Sequence, residues 1–64
     1  MSKRYGWNWT VVVTSKAGEI VSEGVSGTQA AVDKYAEGKF TADVRSVVIL
    51  DNDGCEYSVM EWAE

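Results

Sequence analysis

Four consecutive apolar residues, Val47 to Leu50, place the tightest limit on what this chain can fold into. Neighbouring side chains of a strand point to opposite faces, so this run predicts a strand that is apolar on both sides. The sequence has room for one short helix, and one helix covers only one face of a small sheet. The other face must meet solvent, a second copy or a partner, which favours a binding surface over a catalytic pocket.

The first half of the chain predicts a hairpin. Residues 5–14 alternate, with Tyr5, Trp7, Trp9, Val11 and Val13 on one face, and aromatic and β-branched residues with this period are typical of a strand. Residues 15–18 predict a turn that is closed by a glycine with positive φ. Residues 19–23 predict a second, weaker strand whose charges suit a sheet edge.

A helix is predicted after this hairpin. Ser26 and Gln29 have the spacing of a capping box, and Gly38 suits the left-handed position that ends a helix. Between them, one face is expected to point inward; it comprises Thr28, Ala31, Val32, Tyr35 and Ala36.

The last third predicts a second hairpin, with strands at 43–50 and 55–62 and a strong turn signal at 51–54. A right-handed crossover through the helix leaves a gap that the first strand fills. The chain is therefore expected to be one α+β domain, residues 1–64, with the order ββαββ. We expect a four-stranded antiparallel sheet, order 2-1-3-4, with the helix packed on one face.

The helix should cover the face that carries Trp9. The opposite, open face is then expected to carry Val12, together with either Val47 and Ile49 or Val48 and Leu50. Met60 and Trp62 are further candidates for that face.

Composition limits the chemistry that is available. The 64 residues include one cysteine, Cys55, and no histidine, so we expect no disulfide within the chain, no structural zinc site and no cofactor. A lone thiol suits a reducing compartment, and neither a secretory signal nor a membrane-spanning stretch is seen, so a cytoplasmic protein is expected.

No catalytic site is predicted. Cys55 has no histidine to activate it. The turn at 51–54 resembles a calcium loop, but Ile49 and Met60 would fall at ligand positions 1 and 12, where neither can bind the ion. The protein is expected not to be an enzyme.

Charge points to the chemistry of a partner. The net charge is −4, and from Asp43 onward the sequence has six acidic residues and one basic residue, Arg45. This favours a basic protein surface and makes nucleic acid an unlikely ligand. The same acids could instead serve only to keep the domain soluble.

A non-catalytic protein-binding module is the leading interpretation. Its expected contact residues are Trp7, Val12, Asp51, Asp53, Glu56, Tyr57, Met60 and Trp62. One alternative is a structural homodimer that packs through its open sheet face. Another is single-stranded nucleic-acid binding through the aromatic edge of Tyr5 and Trp7, beside Lys3 and Arg4.

The layout of hairpin, capped helix and further strands resembles that of small acidic phage proteins that inhibit host machinery. That resemblance implies an inhibitor or modulator of a host protein, either RNA polymerase or a defence nuclease.

Overall fold

A computed structural model describes residues 7–62 of the chain. The elements are β1 (Trp7–Ser15), β2 (Ile20–Gly27), α1 (Gln29–Lys39), β3 (Val44–Leu50) and β4 (Glu56–Glu61). They form one four-stranded sheet of order β2-β1-β3-β4 in which all neighbours are antiparallel. The predicted fold class and strand order are confirmed; residues 5 and 6 of the predicted first strand lie outside the described residues.

The two hairpins close in the same way. Ser15 N donates to Glu19 O at 2.8 Å, and Asp51 N donates to Cys55 O at 2.9 Å. In each hairpin, a glycine with positive φ comes directly before the residue whose carbonyl accepts this bond. Gly18, with φ 97°, precedes Glu19, and Gly54, with φ 86°, precedes Cys55. Glycine adopts this conformation at little steric cost, which is why both turn predictions were correct.

The ends of α1 differ from the prediction. The N-cap is Thr28, whose Oγ1 accepts from Ala31 N at 3.2 Å, so the prediction of a Ser26 cap is wrong. Ser26 lies within β2, and its hydroxyl donates to Asn8 Oδ1 at 2.8 Å. Gly38 is helical, and the helix ends where Phe40 N donates to Glu37 O at 3.2 Å.

The core lies between α1 and one face of the sheet. Its buried residues are Trp9, Val11, Val32, Ala36, Val44, Val47 and Ile49. This confirms that the helix covers the Trp9 face, with Trp9 only 3% exposed and its Nε1 donating to Gly27 O at 3.0 Å. The inward helix face is narrower than predicted, since Tyr35 and Ala31 are exposed.

Register decides which half of the apolar run is covered. Val11 lies opposite Ile49 and Val13 opposite Val47, and paired residues share a face of the sheet. Val47 and Ile49 therefore lie under the helix, and Val48 and Leu50 lie on the open face.

A β-bulge in β4 changes the expected alternation. Ile49 pairs with Ser58 and Leu50 with Glu56, so Tyr57 is an extra residue without a partner in the register. Beyond this bulge, Met60 pairs with the buried Val47. The prediction that Met60 and Trp62 lie on the open face is therefore wrong: Met60 lies on the helix side, and Trp62 stacks on Phe40 at the end of the helix.

Candidate protein-binding face

An apolar row crosses the side of the sheet that faces away from the helix. Val12 of β1 pairs with Val48 of β3, which in turn pairs with Val59 of β4. Leu50 lies on the same face, two residues along the strand beyond Val48. This cluster, Val12, Val48, Leu50 and Val59, is called the apolar row below.

The apolar row is partly accessible. Val59 is 45% exposed, and the other three side chains are half-buried by their neighbours within the sheet. No residue of the described range 7–62 forms a second layer over them, because α1 packs on the opposite side. Beside the row lie the short polar side chains of Thr10, Thr14, Ser22 and Ser46. Pairing also places Ile20, Glu56 and Glu61 on this face.

The β3–β4 turn adds negative charge at one end of this face. Asp53 and Glu56 are exposed. Asp51 is half-buried and serves the turn itself, because its Oδ1 accepts from Asp53 N at 2.9 Å and from Cys55 N at 3.0 Å. Asp53 and Glu56 therefore hold exposed carboxylates at this end of the face.

Tyr57 is drawn to the helix side by the bulge. Its ring packs on Trp9 with centroids 5.2 Å apart, and its hydroxyl donates to Asp33 Oδ2 at 3.1 Å and accepts from Gln29 Nε2. Tyr57 thus links β4 to α1. The alternating pattern of β4 gave no sign of this contact.

Trp62 lies at the end of the sheet farthest from the β3–β4 turn. It stacks on Phe40 at 4.4 Å between centroids, its Nε1 donates to Val44 O at 2.6 Å, and the residue is still 48% exposed. It borders an open groove of about 670 Å³ lined also by Lys16, Arg45, Ser46 and Glu61. Two basic residues and one acidic residue therefore line this groove.

The structure therefore brings together part of the predicted contact set. Val12, Asp53 and Glu56 lie on or beside the open face. Tyr57 and Met60 lie on its other side, and Trp62 lies at the end of the sheet. The side chain of Trp7 and the whole of Tyr5 fall outside what the structure describes, so the nucleic-acid alternative stays a prediction. Val48 and Val59, which the sequence left undecided or unassigned, belong to the face.

No family model, curated protein or solved structure matches this chain. Within residues 7–62, no helix is long and apolar enough to cross a membrane. The same described residues contain no group of three or more side chains placed to hold a metal ion.

Proposed function

We propose that this protein is a non-catalytic protein-binding module whose open sheet face docks on a partner protein. The observation that supports the proposal is the apolar row, which the fold leaves without a covering layer. Apolar side chains with polar and acidic ones beside them match the centre and rim of a protein interface. The partner surface would be apolar at its centre and basic where it meets Asp53 and Glu56.

The charge beside the face favours a foreign partner over a homodimer that uses this face alone. Asp53 and Glu56 are exposed acids at one end of the face. Two copies that pack face to face bring these like charges into one interface, whereas a foreign partner can place basic groups against them. The phage-like layout makes RNA polymerase and defence nucleases the first partners to test.

Capture from a bacterial lysate with matched variants tests the proposal. Val48→Lys places a charge in the apolar row, and Ala42→Lys adds the same charge at an exposed position before β3. We expect a protein that is retained by the wild type and by Ala42→Lys but lost with Val48→Lys, while circular dichroism shows both variants folded.

Two outcomes would contradict the proposal. Retention of the same proteins by Val48→Lys would place the contact elsewhere on the molecule. A stable dimer in sedimentation at micromolar concentration, dissociated by Val48→Lys, would instead support the structural homodimer.

A further inference from the structure

The two edges of the sheet differ in how they are protected. On the β4 edge, the bulge at Tyr57 and the charges of Glu56 and Glu61 obstruct pairing with another strand, and natural sheets use such devices against edge association. On the β2 edge, eight residues pair with β1 without a register shift, and Ile20 and Val21 are 66% and 57% exposed. The β2 edge is therefore long, regular and open.

The backbone of β2 presents unpaired hydrogen-bonding groups along this edge. The bond from Ser15 N to Glu19 O sets the alternation of the antiparallel ladder, in which every second residue points its N–H and C=O away from β1. These outward residues are Ile20, Ser22, Gly24 and Ser26, and all four are exposed. Within residues 7–62, no strand lies beyond β2 to accept or donate these bonds.

Glu23 gives this edge a charge preference. It lies between Val21 and Val25 on the helix side of β2, where its carboxylate accepts from the Tyr35 hydroxyl at 2.5 Å and lies 3.8 Å from Lys39 Nζ. If two copies paired along the whole of β2, with Ile20 opposite Ser26, each Glu23 would face the other. Directly opposed like charges destabilise a strand pair, so the edge disfavours a second copy in the register that uses the whole strand.

We propose that the outer edge of β2 accepts an extended segment of a partner protein as a fifth strand. The segment carries Lys or Arg opposite Glu23, between two apolar residues opposite Val21 and Val25. Main-chain bonds from the outward residues of β2 supply the affinity, and the charge opposite Glu23 supplies the selectivity. The edge adjoins the open face at Ser22, but this docking makes no use of the apolar row, so either proposal can fail without the other.

Two synthetic peptides and the ¹⁵N-labelled full chain test the inference by amide NMR. We expect acetyl-TVTKTVT-amide to shift the amide signals of the four outward residues and to slow their hydrogen exchange. Acetyl-TVTETVT-amide should bind about fivefold more weakly, and Glu23→Gln should bring the two affinities close together. Ser22→Pro, which removes one outward N–H at an edge where proline is tolerated, should abolish binding, whereas Ser22→Ala should retain it.

The results that would overturn the inference are the following. Equal affinity of the wild type for the two peptides, shifts centred on Val48 rather than β2, or no shift at millimolar peptide would each overturn the inference. Protection of the outward amides that grows with protein concentration and without peptide would identify a second copy as the occupant and overturn it too. If Ser22→Pro does not fold, the Glu23→Gln comparison decides.

Discussion

Alanine at Val47 or at Val48 tests which side of the sheet is covered. The two valines are adjacent in β3, so the loss of β-propensity is about the same for both and cancels in the comparison. Val47 is fully buried under α1, whereas Val48 lies on the open face. Any difference in stability between the variants therefore reports the burial of the two faces.

The expected loss in the free energy of unfolding follows from the burial of Val47 and Val48. Removing two methyl groups from Val47 costs about 1.6 kcal/mol of transfer free energy. A residual cavity of about 40 Å³ adds about 1 kcal/mol, which brings the loss to about 2.5 kcal/mol. For Val48 the side chain keeps part of its contact with water and no closed cavity forms, so we expect a loss below about 1 kcal/mol.

Urea unfolding followed by tryptophan fluorescence measures both losses. The difference should correspond to about 6–12 °C in Tm for a domain of this size. Equal losses for the two variants would refute the assignment of the faces. A loss for Val48→Ala that depends on protein concentration would show that a second copy covers the open face.

Three further outcomes are expected. Thr28→Ala should lower the free energy of unfolding by about 1 kcal/mol through loss of the helix cap, while Ser26→Ala changes it by less than about 0.5 kcal/mol. Chemical denaturation of both variants checks this, and a larger loss for Ser26→Ala would show that Ser26 is the cap. Gly24→Thr should raise the free energy of unfolding by up to about 1 kcal/mol, because a Cβ at Gly24 meets only Trp9 O at 4.0 Å and its φ is not positive; a lower Tm would show that the site needs glycine. The hydrogen bond to Glu23, followed by desolvation, raises the pKa of Tyr35 above 10.0. The stability that Tyr35 contributes is therefore complete below pH 10 and is lost as pH rises through the raised value, so Tyr35→Phe should flatten the alkaline limb of a stability–pH curve; an unchanged limb would contradict this.

Local patterns predicted the elements because each had an unambiguous physical signal. Alternation around Trp9 and Val11 defined β1, and the glycines at 18 and 54 marked both turns. Helix capping was predicted less well, since Ser26 and Thr28 can both cap a helix and serine is the stronger cap of the two. The extension of β2 as far as Gly27 settled which of the two was used.

The candidate binding face could not be read from the sequence in the same way. A one-residue bulge at Tyr57 reverses the side of the sheet on which the following residues of β4 lie. The residue types around Tyr57 do not indicate a bulge. The sequence therefore pointed to Met60 and Trp62, whereas the structure places Val59 on the open face.

The sequence by itself determined the order of the elements, the strand order of the sheet and the presence of Trp9 in the core. These depend on periodicity, turn chemistry and handedness, which act over short stretches of chain. Only the tertiary structure decided which half of Val47 to Leu50 meets the helix, because a run that is apolar on both faces has no preferred side. Its side is set by pairing with β1, where Val11 opposite Ile49 brings both under the same helix.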